Sequence, residues 1–210
     1  MTENVLTFCT AELPPEVISH FIHLSQRTEE SSKIWSIVRT PSETPIGKRT
    51  RTPIRAFQTG FLNAPLSTLT TFVRSAPQSN SYHFSRNTFA VLDKRSRDDE
   101  TVVLWTRIER IGGELMERGD GDGDGDGDGG AEWEGDEQVV SVEWRDFRVE
   151  FCKACWVVGL LQMRPRLFVE IVEKGQGAQV DGEGVLRVDA PMKKGDVEEG
   201  DDDFSDEEEE

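Results

Sequence analysis

Cysteine is scarce in this chain. Cys9, Cys152 and Cys155 are the only three in 210 residues, an odd number and too few for the disulfide framework on which small secreted domains rely. Long apolar runs are missing as well, since none approaches the ~18 residues of a membrane-spanning helix. The opening stretch, MTENVLTFCTAELPPE, has no basic region followed by an apolar one and does not read as a secretory leader. Together these shortages predict a reducing compartment, cytoplasmic or nuclear, and no membrane contact. The motifs of several enzyme classes are also lacking. There is no G-x-S-x-G nucleophile elbow, no G-x-x-x-x-G-K-[ST] loop and no strand-anchored G-x-G-x-x-G. The glycines that do cluster, at 119–130, alternate with aspartates that would repel a phosphate. No cofactor is implied.

What the chain has in excess is acid, and the excess is local. The formal charge is −17. Residues 118–137 hold nine acids against one base and residues 176–210 hold fourteen against three, which leaves 18 acids and 20 bases elsewhere. The acidity therefore belongs to two appendages and says little about the fold. Alternating glycine and aspartate combine high backbone entropy with self-repulsion, so 118–137 is expected to stay disordered. The same expectation covers 176–210, whose one weak apolar patch is Val185–Val188. The opposite bias marks Arg39–Arg55, RTPSETPIGKRTRTPIR, with five bases, one acid and three Thr-Pro steps. Proline turns its predecessor away from helix, so a long extended basic loop is predicted.

The most legible stretch is Arg86–Glu109. Two runs rich in β-branched and aromatic residues, Thr88–Leu92 and Thr101–Ile108, flank the polar segment Asp93–Glu100 and read as a β-hairpin joined by a charged turn. Before it, Val5–Thr10 reads as a strand, and Leu13-Pro-Pro-Glu opens a helix with Val17, Ile18, Phe21, Ile22 and Leu24 on one stripe. Ile34–Val38 reads as strand or continued helix, and Ala56–Leu62 as a strand. Pro65 opens a second helix with Leu66, Leu69, Phe72 and Val73 on one face. After the insertion, Phe147, Val149 and Phe151 alternate in the strand period. Cys152–Met163 is a buried segment of either kind, and Pro165–Lys174 has helical spacing with Gly175 as its stop. The expected fold is α/β, with α+β the alternative. It would hold a single small sheet with a central hairpin, about three packing helices, one domain over 1–175 and an acidic tail over 176–210.

The order of these landmarks resembles an uncharacterised domain family, a domain of unknown function found in bacterial and fungal proteins. The resemblance rests on Phe89-Ala-Val-Leu-Asp93 with Arg95 after it, and on Phe147-Arg-Val149 followed by an apolar segment holding Trp156. It spans most of Val5–Lys174. It implies an α/β fold and transfers no catalytic residue. The basic loop, the Gly-Asp insertion and the acidic tail depart from it.

Four side chains are candidate metal or thiol ligands. Cys152-Lys-Ala-Cys155 matches C-x-x-C at a junction where a helix N-terminus would lower a thiol pKa. His20 and His23 stand at i and i+3 on the first helix, and with the two cysteines they make a set of zinc-type ligands. The spacing of the histidines is shorter than in most zinc fingers, and small buried hydrophobes explain the cysteines equally well. Asp120–Asp128 invites calcium, but an EF-hand loop started at Asp120 puts Ala131 where its bidentate glutamate belongs. Asp93, Asp98 and Asp99 suit turn chemistry better than acid–base catalysis. Ser205, inside FSDEEEE, suits an acid-directed kinase. The sequence thus favours a non-enzymatic protein-interaction domain whose acidic tail attracts a basic protein or the chain's own Arg39–Arg55 loop. Solubility alone is the simplest other use of such a tail. Nucleic acid is disfavoured because the tail competes with phosphate for any basic patch. The alternative is a small zinc- or thiol-dependent enzyme using Cys152 and Cys155.

Overall fold

A computed structural model describes residues 3–27, 33–43, 46, 49–76, 83–111, 114–115, 140–164, 168–169, 172–173 and 178–188. The fold is α/β, built on one mixed sheet. Strand β1 (Asn4–Cys9) is buried along its whole length. Helix α1 (Pro15–Ser25) follows, and its prolines occupy the N-cap and first helical positions, where no N–H is required. Strand β2 (Trp35–Val38) returns parallel to β1, with Val5 opposite Trp35. Helix α2 (Leu66–Ser75) then crosses to β3 (Phe84–Leu92), which pairs parallel on the other side of β1.

The hairpin lies at the centre of the sheet, as its sequence predicts. Strands β3 and β4 (Thr101–Ile111) pair antiparallel, Thr88 opposite Thr106 and Val91 opposite Val103. Their connection is a short helix, α3 (Lys94–Asp99), in place of the expected turn. Asp93 caps it by accepting from the Ser96 N–H at 3.1 Å, while Ser96 Oγ accepts from the Asp93 N–H at 3.0 Å. Glu100 closes it in the left-handed region, φ 52°. The two-residue strand β5 (Glu114–Leu115) folds back on the end of β4.

Strand β6 (Val140–Glu150) pairs antiparallel with β4 over eleven residues, from Thr101 opposite Glu150 to Ile111 opposite Val140. Helix α4 (Phe151–Met163) starts on the next residue, which resolves Cys152–Met163 as helix. Two corrections follow. The tail does not begin at 176: β7 (Ala178–Val180) and β8 (Val185–Val188) form a hairpin, and β8 joins β6 in parallel through Arg148 opposite Val185. The patch Val185-Leu186 is weak only in length, since both side chains are buried. Ala56–Leu62 is not a strand but an irregular segment across the strand ends. Of the expected helix 165–174, Phe168, Val169, Val172 and Glu173 are described and helical. Residues 118–137, 189–210, and with them Ser205, lie outside the described residues.

The strand order is β2-β1-β3-β4-β6-β8-β7. Alternation along each strand feeds two layers. On one face Val5, Ala90, Leu92, Val102, Leu104 and Val149 meet Phe21 and Ile18 of α1 and Val157 and Leu161 of α4. On the other, Leu6, Phe8, Phe89 and Val91 meet Leu69 and Val73 of α2. Trp35, 1% exposed, packs at a tilt of 53° against Phe21 and donates its indole N–H to Ser25 Oγ at 2.7 Å.

Candidate functional site

Helices α1 and α2 lie on opposite faces, so the chain winds outward from β1 in both directions. In open α/β sheets the crevice outside the carboxyl ends of strands at such a reversal is where ligands bind. Here the segment 56–64 fills it. Thr59 Oγ1 donates to the Cys9 carbonyl at 2.6 Å, the Asn63 N–H to the Thr10 carbonyl at 2.9 Å, and the Gly60 N–H to the Arg39 carbonyl at 2.7 Å. Asn63 takes φ 52° to make the last turn. Phe57 packs into one layer and Phe61, 1% exposed, into the other. Gly60 passes so close to Pro41 that a Cβ there would fall 2.7 Å from its Cδ. The remaining dent, lined by Ala11, Glu12, Leu13, Phe57 and Thr59 among others, has a cavity volume of about 0 Å³, against the ~300 Å³ at which small-molecule sites begin.

The candidate ligands are brought only partly together. Helices α1 and α4 are neighbours in one layer, and His20 lies edge-on to Phe151 at 6.4 Å. His20 Nε2 is 3.2 Å from Glu100 Oε1 at an exposed position. His23 is exposed in the last turn of α1. Among the described residues no three His, Cys, Asp or Glu side chains are grouped to hold a metal ion, so the zinc set of His20, His23, Cys152 and Cys155 is not assembled. Cys152 does sit in the first turn of α4, as the C-x-x-C reading requires. Its thiol pKa is nevertheless raised, first by burial and then by the carboxylate of Glu150, against the smaller opposing pull of Lys153. Cys9 is a buried thiol pushed up to about 12 by desolvation. Neither has the depressed pKa of a nucleophile.

The strongest polar constellation ties α3 to the sheet. Arg148 of β6, 12% exposed at its side chain, grips Asp93 with both terminal nitrogens and donates to Thr101 Oγ1 at 3.0 Å. Burial alone would raise the Asp93 pKa, but the hydrogen bonds and charge of Arg148, with the Ser96 N–H and hydroxyl, lower it overall. Arg95 adds a bond to Asp99 at 2.7 Å and one to the Glu183 carbonyl at 3.1 Å, which fastens the β7–β8 turn. Among the described residues no buried side-chain polar atom lacks a hydrogen-bond partner, and these bonds fasten α3 and the β7–β8 turn to the sheet.

A sizeable cleft opens beside the edge strand β2. It has a volume of about 780 Å³ and is lined by Ile22, Gln26, Lys33, Arg49, Thr50, Arg51 and Thr52. Its wall is fixed. The Thr50 N–H donates to the Trp35 carbonyl at 2.9 Å, the Ile37 N–H donates to Thr50 Oγ1 at 2.7 Å, and the Ile54 N–H donates to Ser19 Oγ at 3.0 Å. This strap covers β2 and sets Arg49 and Arg51 on either side of an anchored threonine. Among the described residues no carboxylate pairs with Lys33, Arg49 or Arg51. The charge bias of 39–55 was readable in the sequence, but the contribution of Lys33 and Gln26 was not, because only the strap on β2 brings them to the same cleft.

These features define a mixed α/β sheet protein with a filled carboxyl-end crevice and a basic edge cleft. Comparison with family models, curated proteins and solved structures finds no match to the chain.

Proposed function

We propose that the protein is a non-enzymatic interaction domain that presents acidic segments to a basic protein partner. The observation that carries the reading is the filled crevice: the place where a sheet of this winding would bind a small substrate is occupied by Phe57, Thr59 and Phe61. The raised thiol of Cys152 and the unassembled metal set weigh against the zinc- or thiol-dependent enzyme. The partner-binding element is 189–210, twelve acids against two bases, and not 176–210, since 178–188 belongs to the sheet. Phosphorylation of Ser205 would add about −1.5 to −2 charges and tighten the contact. The reading sets the protein in the cytoplasm or nucleus, where thiols stay reduced, and disfavours nucleic acid as a direct partner.

The test is binding of a lysine-rich polypeptide probe to the full chain, followed by fluorescence anisotropy at low and high salt. Affinity should fall at least about tenfold between 50 mM and 500 mM salt, because such attraction is screened. It should also be lost on deleting 189–210. Salt-independent binding by the shortened chain would overturn the role given to the tail.

A further inference from the structure

We infer that the basic cleft beside β2 is a docking site for the chain's own acidic segment 189–210. Three cations, Lys33, Arg49 and Arg51, line an open volume of about 780 Å³ together with Gln26, Thr50 and Thr52, and among the described residues the one apolar lining side chain is Ile22, itself 4% exposed. A small-molecule site of that size is mostly apolar. This one offers long donors and the hydroxyls of Thr50 and Thr52 along a strap, the chemistry that suits an extended run of carboxylates. The strap's bonds to Trp35, Ile37 and Ser19 hold the backbone that carries Arg49 and Arg51, so less loop freedom is lost on binding.

The geometry of the sheet makes the chain's own tail the fitting occupant. Strand β8 ends at Val188, five strand positions from β2 in the sheet order, which is about 24 Å at ~4.8 Å per strand. The 22 residues 189–210 have an r.m.s. reach of roughly 25 Å as a flexible chain, and self-repulsion lengthens it. A tether whose reach matches the span gives the highest effective concentration, on the order of millimolar. The segment carries twelve acids, with its densest run at the end farthest from the tether, Asp201-Asp-Asp-Phe-Ser-Asp-Glu-Glu-Glu-Glu210. The consequence, which rests on the function proposed above, is that a basic partner must displace the tail from its own domain before engaging it. The contact itself is tested without any partner.

The experiment is zero-length carbodiimide crosslinking of the full chain, read by peptide mass spectrometry on a mixture of isotopically light and heavy protein. Of the cleft's cations only lysine, a primary amine, forms the amide, so Lys33 reports the cleft, and Lys94 and Lys153 serve as controls. Lys33 should crosslink to carboxylates of 201–210, within one chain, several-fold more than either control. The yield should fall roughly tenfold in 1 M salt, where the screening length drops to ~3 Å. It should also fall in the double variant Arg49→Ser/Arg51→Ser, which keeps Lys33 and whose fold is checked by circular dichroism. Crosslinks only between light and heavy chains, only to Glu29 and Glu30, only to 118–137, or no enrichment over the controls would each overturn the proposal. A tail found in the cleft with no binding of the lysine-rich probe would instead sink the partner reading and leave this contact standing.

Discussion

Asp93 shows how much one side chain can join. It caps α3, holds the Ser96 hydroxyl and N–H, and meets both terminal nitrogens of Arg148 across from the hairpin. Asp93→Ala should destabilise the fold by about 2 kcal/mol: roughly 1 from the lost cap, and the rest from leaving Arg148, 12% exposed, without its counter-charge. Because its folded pKa is lowered, the stability it supplies is complete above its unfolded value of ~3.9 and is lost as pH falls through the folded value. Thermal unfolding from pH 6 down to pH 2.5 should therefore show the wild type losing its advantage over Asp93→Asn at the acid end. A constant gap would refute the linkage. The thiols allow a second check at this scale. Alkylation by iodoacetamide at pH 7 should leave Cys9 untouched in the folded protein, since its pKa lies at about 12. Cys152, exposed but with a raised pKa, should react more slowly than a free model thiol and speed up with pH into the alkaline range. Rapid labelling of Cys152 at pH 6 would revive the thiol-enzyme reading.

At the level of elements, the sheet extends further into the chain than composition indicated, and a truncation series measures by how much. Ending the chain at Gln176 removes β7 and β8, uncovers Val149 and forfeits the burial of Val185 and Leu186. At about 1.5–3 kcal/mol for each fully buried aliphatic side chain, the loss should be about 3–5 kcal/mol. Ending it at Val188 should leave the melting temperature within a few degrees. Equal stability of the two truncations would mean that the β7–β8 hairpin adds nothing. The pattern of what was readable follows from the physics of each element. Strands β3, β4 and β6 and helices α1 and α2 announce themselves because each carries its own apolar period. Strand β8 does not: two buried residues in a polar, glycine-rich stretch become a strand only through parallel pairing with a partner about 40 positions earlier, Arg148 opposite Val185. Helix α3 has no apolar face at all, and its signal was Asp93-x-x-Ser96, a capping pattern with serine where glutamate is usual. Ala56–Leu62 reads as a strand in the sequence, yet Phe57 and Phe61, which a strand would place on one face, enter opposite layers. The basic loop was visible as charge, and its cleft only through the bonds of Thr50.

Considered whole, the molecule separates its charge from its core. Strands β4 and β6 pair over their full eleven residues on either side of the 28 residues 112–139, so that connection can be shortened without touching the sheet. Deleting 119–130 reduces it to 16 residues, and loop-closure entropy changes by only about 0.5 kcal/mol, since each doubling of length is worth ~0.6. The same deletion removes five aspartates, and deleting 189–210 removes a further net −10, so a chain lacking both has a formal charge of −2 against −17. Its melting temperature should stay within about 3 °C of the parent, because the layers described above are built from residues outside both segments. Its solubility should fall near neutral pH, where net charge close to zero promotes association. These two outcomes alone would be met if the acidic segments served only to keep the protein dispersed. The lysine-rich probe separates the cases. An interaction domain loses the probe on the double deletion and regains it when 189–210 is restored without 119–130. A mere solubiliser shows the same weak, stoichiometry-free attraction whichever acidic segment is put back. The ordering of affinities across the four chains, measured at one salt concentration, therefore decides whether the tail is a ligand or a coat.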